Sequence, residues 1–190
     1  MTIDNDTPSQ PPLTAIVESL LFVADRPVSV KQLAEAIQCD ARDVEATLGL
    51  LAQEYQCRGV RLQYQRDRVQ LVTAPGVASH VERFLGLSLS GSLSTAALET
   101  LSIIAYRQPV TRAEIEAIRG VNSDGVLRTL MSKGLIEELG RLATVGHPIL
   151  FGTTFEFLQY FGLSSLDELP MLEMEEGETQ PAQVESRSDV

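Results

Sequence analysis

Residues 97–140 read ALETLSIIAYRQPVTRAEIEAIRGVNSDGVLRTLMSKGLIEELG, and the punctuation of this stretch decides the fold. Leu98, Leu101, Ile104 and Ala105 recur at helical spacing and predict one apolar face. Gln108-Pro109 stops that helix, because proline lacks a donor and pushes its predecessor out of the α region. Thr111 and Glu114 make a capping box, with Val110 and Ile115 at the flanking staple positions. A third helix starts near Asn122-Ser123 and closes at Gly134, a left-handed C′ residue followed by the apolar Leu135. Three short helices with a tight second turn, then a strand, is the order of a winged-helix module. Such a module works by docking on nucleic acid or protein and needs no catalytic centre.

The same grammar occurs earlier. Thr14-Ala15, Glu18, Leu20, Ala24 and Arg26 match Thr95-Ala96, Glu99, Leu101, Ala105 and Arg107 at a constant offset. After one added residue at Gln108, Val28, Ser29 and Leu33 meet Val110, Thr111 and Ile115, and Val44, Thr47 and Leu48 meet Val126, Thr129 and Leu130. Ser29 and Gln32 form a second capping box, stapled by Val28 and Leu33. The chain reads as two copies of one module. Its expected fold class is mainly α with small β wings, two tandem winged-helix domains followed by a disordered acidic tail.

The boundaries follow from composition. Residues 1–12 read as a disordered leader ending in Pro11-Pro12, 13–87 as the first domain, 88–92 (SLSGS) as a linker, 93–170 as the second domain and 171–190 as the tail. In the first domain the expected helices are Leu13–Arg26, with Leu13, Ile16, Val17, Leu20 and Val23 or Ala24 inward, then Val30–Ile37, then Ala41–Gln56 with Asp40 as N-cap. Gly59–Tyr64 and Val69–Thr73 alternate around a polar turn and predict a wing hairpin, and Val77–Gly86 reads as a closing helix. In the second, Leu135–Leu139 and Ile149–Phe151 are the wing strands. A final helix follows, with Thr153 and Glu156 as its expected capping box. It carries Phe155, Phe157, Tyr160 and Phe161, more aromatics than one short face can bury.

At 190 residues and 44% apolar content the chain can build two small cores. No run of apolar residues is long enough to span a bilayer, and the start has no secretory pattern, so a cytoplasmic location is expected. Cys39 and Cys57 suit neither a disulfide framework nor a metal site. The net charge of −11 is concentrated at one end: residues 13–90 hold nine acids and eight bases, residues 91–165 seven and six, and residues 166–190 eight acids against Arg187. The tail is expected to be a solvated segment, or an electrostatic contact for a basic partner.

A DNA-reading winged helix carries Arg or Lys on its third helix. Here that region of the first domain offers Asp40, Asp43, Glu45 and Glu54 against Arg42 and Arg58, and that of the second Asp124 against Arg128 and Lys133. Acids beside phosphates oppose the counterion release that drives such binding. The first wing does carry Arg61, Arg66 and Arg68. The balance of charge favours protein docking. No enzyme is expected: His80 and His147 lie in no triad pattern, no phosphate-cradling glycine motif occurs, and no metal or cofactor is implied. The residues expected to bind a partner are Tyr106, Phe155 and Tyr160, large aromatics at the edges of the first and last helices of the second domain.

ALETLSIIAYRQPVTRAEIEAIRGVNSDGVLRTL, then GLIEELGR, HPILFGTT, FLQYFGL and SLDELP, together resemble the bacterial segregation and condensation protein B family over residues 13 to about 172. The string Ile104-Ala105-Tyr106, Gln108-Pro109 and the Gly120–Ser123 turn carry most of the resemblance. Where that family commonly has arginine before the second wing's proline and tyrosine before Gly152, this chain has His147 and Phe151. The resemblance implies a non-enzymatic homodimer acting in chromosome condensation and partition during cell division. Its partners would be the kleisin subunit (segregation and condensation protein A) and, through it, the SMC ATPase. DNA would be met only through that nucleoid-associated complex. The competing reading is a dimeric winged-helix transcription regulator.

Overall fold

The computed structural model describes residues 11–86 and 93–171. The predicted linker and all but the first residue of the predicted tail lie outside the described residues, as does most of the leader. Among the described residues the chain is mostly helical, with two small antiparallel sheets.

The first unit runs α1 (Leu13–Val23), β1 (Val28–Ser29), α2 (Val30–Ile37), α3 (Ala41–Glu54), β2 (Val60–Gln65), β3 (Arg68–Thr73) and α4 (Ala78–Leu85). The second repeats the order: α5 (Thr95–Arg107), β4 (Val110–Thr111), α6 (Arg112–Arg119), α7 (Asp124–Ser132), β5 (Ile136–Arg141), β6 (Ile149–Thr153) and α8 (Phe155–Phe161). The sheets repeat as well, in the orders β1-β3-β2 and β4-β6-β5. The short strands β1 and β4 were not expected from the sequence. The staple residues Val28 and Val110 that fix each helix entry also pair with the last strand of the hairpin, Val28 with Val69 and Val110 with Phe151.

Local signals explain the helix starts. Ser29 and Thr111 each accept from the N3 amide while the N3 side chain, Gln32 or Glu114, accepts from the cap amide. Asp40 caps α3 through the Arg42 amide. Gly120 and Gly162 end α6 and α8 in the left-handed region, and Gln38 does the same for α2 at φ 61°. Two helices differ from expectation. α1 stops at Val23 rather than Arg26, and its deepest residues are Val17 and Leu21, with Val23 left exposed. In α5 the buried stripe is Ala97, Leu101, Ile104 and Ala105 with Thr100, and Leu98 is turned out.

Each unit has its own core. Val17, Val44, Leu51 and Leu62 lie at the centre of the first, and Leu101, Ile104, Ile115 and Leu130 at the centre of the second. At roughly 1.5–3 kcal/mol for each fully buried aliphatic side chain, these residues supply the main drive for each unit to fold.

Candidate partner-docking surface

The predicted docking residues lie around α8 and the end of α5. The cap of α8 falls one residue later than expected. Thr154, not Thr153, accepts from the Phe157 amide, and its hydroxyl donates to Gly134 O at 2.6 Å, tying the α8 start to the end of α7. Thr153 stays in β6 and bonds to Gln108. Its amide donates to Gln108 Oε1 at 2.9 Å, and Gln108 Nε2 donates to Ala105 O and Thr153 Oγ1. Gln108 therefore fastens the last strand to the end of the first helix.

This frame sorts the aromatics of α8. Phe157 is buried in the second core and Phe155 packs partly against it. Tyr160 and Phe161 are 49% and 43% exposed, in an edge-to-face pair with ring centres 5.1 Å apart. Tyr106 is half-buried, and its hydroxyl donates to Pro170 O at 2.7 Å, pinning the end of the described chain to α5. The three predicted residues therefore sit differently: Phe155 lines a cleft, Tyr160 stands open on the outer side of α8, and Tyr106 is engaged by Pro170.

The cleft lined by Phe155 lies between the two units and holds about 880 Å³. One wall is the end of α1 and the β2–β3 turn, with Arg26, Arg66 and Arg68; the other is the start of α8 with Glu137 from β5. A polar junction between the units adjoins it. Gln65 Nε2 donates to Thr153 O at 2.5 Å, and the Tyr64 amide donates to Ser164 O at 2.7 Å, which covers the free edge of β2. Arg66 pairs with Glu137 at 2.8 Å and reaches Thr153 O. Gly152 permits this approach. A Cβ there would lie 2.6 Å from Leu139 Cδ1, 2.8 Å from Gln108 Oε1 and 3.0 Å from Arg66 Nη2. None of these junction contacts was legible in the sequence.

The same geometry disperses the basic cluster of the first wing. Arg66 is paired with Glu137, and Arg61 is turned toward the second unit. On α7, Arg128 pairs with Asp124 at 2.7 Å, and Arg112 also reaches Asp124 at 3.2 Å. Arg66, Arg112 and Arg128 are thus matched by nearby carboxylates and have less to offer DNA phosphates.

Three ionisable groups are shifted. Burial, with a hydrogen bond to Glu18, raises the Tyr55 phenol above its ordinary value, and burial raises that of Tyr64. Donation from the Thr111 amide and hydroxyl lowers the Glu114 carboxyl. All three are structural. His80 lies on exposed α4, and the His147 carbonyl accepts from Arg141. Among the described residues no group of His, Cys, Asp and Glu is placed to hold a metal, and no helix is long and apolar enough to cross a membrane.

Comparison with known proteins gives a consistent result. The family model described as segregation and condensation complex subunit ScpB matches residues 15–172. Segregation and condensation protein B of Clostridium botulinum (strain Kyoto / Type A2) is 47% identical over 161 residues, covering 84% of this chain and 83% of the relative. Among solved structures, ScpB from Mycobacterium tuberculosis is 42% identical, covering 80% of this chain and 95% of that one, with a TM-score of 0.39. A dimer of an ScpB N-terminal domain complexed with an ScpA peptide is 26% identical, covering 38% of this chain and 94% of that one, with a TM-score of 0.37.

Proposed function

This chain belongs to the segregation and condensation complex subunit ScpB family, and on that premise we propose that it is a non-enzymatic accessory subunit of an SMC–kleisin complex. It acts in chromosome condensation and partition during cell division. The observation that carries this reading is a family match running through both folded units. The units are two winged-helix domains, 13–87 and 93–170, joined by residues 88–92 and flanked by a leader and an acidic tail.

The partner is the kleisin subunit, segregation and condensation protein A, and through it the SMC ATPase. The chain acts as a homodimer in the cytoplasm and meets DNA only through the nucleoid-bound complex. Mechanically, it clamps a kleisin segment that is otherwise flexible and so sets the geometry of the SMC heads, while the ATPase chemistry stays with the partner. Docking uses Tyr106, Phe155 and Tyr160, aromatics on the first and last helices of the second unit. Its support is the open Tyr160–Phe161 pair and the placement of Phe155 in the inter-unit cleft. The exposed Phe22 and Leu50 supply apolar surface on the first unit for self-association.

The regulator reading requires third helices rich in unmatched basic side chains, whereas Arg128 of α7 is paired with Asp124 and α3 carries Arg42 against Asp43, Glu45 and Glu54. The deciding experiment is co-purification with the kleisin subunit of the same genome, followed by mass measurement. A complex holding two copies of this chain is expected. Failure to retain the kleisin, together with submicromolar sequence-selective DNA binding, would overturn the assignment.

A further inference from the structure

The outward face of β2 carries Arg61, Gln63 and Gln65 at the two-residue period of a strand, while Leu62 and Tyr64 point to the first core. Two of these three rungs are engaged by the second unit. Gln63 Nε2 donates to Leu163 O at 2.8 Å while its Oε1 accepts from Gln70, and Gln65 donates to Thr153 O. Arg61, the third rung, lines an adjoining cleft of about 340 Å³, walled by Thr73 and Pro75 of the first unit and by Gln159 and Gly162 of the second. Its Nε and Nη2 are buried and meet no acceptor among the described residues. Among the described residues no acidic side chain lines the cleft.

Arg119 provides the contrast. Its side chain is only 8% exposed and its Nε is also buried without an acceptor among the described residues, yet both of its terminal nitrogens reach partners, Ser123 and Glu99. Arg61 is half-buried, and the two donors that it does bury without an acceptor oppose folding. The Nε–Nη2 edge presents two parallel N–H bonds, the fork that a carboxylate fills with both oxygens.

We propose that this edge of Arg61 is the seat for an aspartate or glutamate carboxylate of the kleisin, entering the cleft on an extended segment. This rests on the kleisin reading above. Charge complementarity selects the ligand: one cation offering two donors, with no competing acid in the cleft among the described residues, matches one carboxylate. A helix, about 10 Å across, is too wide for so small a cleft, whereas a side chain on extended backbone fits. A nucleic acid strand would bring a row of phosphates to a single cation. Because both units wall the cleft, the bound carboxylate also bridges the two units that are proposed to clamp the kleisin segment.

The test uses the full chain as wild type, Arg61→Met and Arg61→Lys, titrated calorimetrically with the full-length kleisin subunit of the same genome. Arg61→Met is expected to weaken binding about tenfold or more, the ordinary effect of removing a charged hydrogen-bonding partner, with Arg61→Lys in between. The thermal midpoint of free Arg61→Met should match or exceed that of wild type, since two buried donors without an acceptor among the described residues have been removed. Removing the matching kleisin acid should weaken binding to wild type but not to Arg61→Met. Equal binding by wild type and Arg61→Met overturns the assignment and leaves the kleisin reading standing. A wild type that binds no kleisin overturns both. If Arg61→Met melts early in the full chain but not after truncation at Leu172, the carboxylate belongs to this chain's own tail and the assignment to the partner falls.

Discussion

Replacing Gly152 with alanine tests whether the junction around Gln108 holds the second unit together. The added methyl would sit 2.6 Å from Leu139 Cδ1, 2.8 Å from Gln108 Oε1 and 3.0 Å from Arg66 Nη2. All three atoms end flexible side chains, so the cost depends on which of them can move freely. Leu139 is half-buried on β5 and can rotate away. Arg66 is 45% exposed and can swing out, losing a half-exposed ion pair of about 1 kcal/mol at most. Gln108 cannot yield so cheaply, because its Oε1 accepts from the amide of buried Thr153. Leaving that amide unsatisfied costs about 1–3 kcal/mol, the same range as overpacking a core by one carbon. Gly152→Ala should therefore destabilise by about 2 kcal/mol, lowering the midpoint by roughly 4–8 °C for a chain of this size. Circular dichroism in a thermal scan suits the assay, since the chain has no tryptophan. In the Gln108→Ala background the same substitution should cost well under half as much, because its main obstacle is gone. A Gly152→Ala protein as stable as wild type, or additive costs in the double variant, would refute this account.

Further outcomes follow from the caps, the shifted groups and the aromatics. Ser29→Ala and Thr111→Ala should each cost about 0.5–2 kcal/mol in urea unfolding, as removal of a helix cap does. The Glu114 carboxyl is held below its ordinary value, so its contribution is fully present above the unfolded value of about 4.3 and is lost as pH falls through the lower folded value. Between pH 5 and pH 3, wild type should lose stability more steeply than Glu114→Gln. The Tyr55 phenol is raised by burial and by Glu18, so its contribution is complete below about pH 10 and lost as pH rises further; Tyr55→Phe should flatten that alkaline limb. Tyr160→Ala should leave the melting point nearly unchanged and weaken kleisin binding about tenfold, whereas Phe157→Ala should cost about 3 kcal/mol or more of stability. If Tyr106→Ala, Phe155→Ala and Tyr160→Ala all bind the kleisin as wild type does, docking occurs elsewhere.

Features decided by neighbours in sequence were legible in the sequence, and those decided by a distant partner were not. The boxes at Ser29 and Thr111 close within four residues, so composition alone announces them. Asp40 and the wing hairpin of the first unit follow the same logic. The cap of α8 shows where this stops. Thr153 and Thr154 are equal candidates in sequence, and the choice falls to Thr154 because Gln108, forty-five positions away, takes Thr153. The buried stripe of α5 was read through Leu98, but the helix is turned so that the small Ala97 faces the core, a rotation set by the elements packed around it. β1 and β4 are too short to alternate visibly, and their pairing depends on strands forty residues on. Of the predicted docking residues, Tyr160 was the most readable, since four aromatics on so short a helix force some outward.

The glutamines of β2 show how a polar face can be structural without any sequence signal. In an isolated hairpin, Gln63 and Gln65 would read as the solvated side of an alternating strand. In the folded chain they are 1% and 5% exposed, and each donates to a backbone carbonyl of the second unit. An interface of this kind has a specific energetic character. Apolar burial tolerates sliding, whereas a buried amide that misses its acceptor loses about 1–3 kcal/mol, so two such bonds fix a register between the units more than they glue them. The Arg66–Glu137 pair at the rim, nearly half exposed, adds little affinity but opposes alternative placements of the wing. A subunit that must present one chain of a larger assembly in a defined geometry needs such a register. A few well-placed amides provide it without the large apolar surface that would make the separated units prone to aggregate.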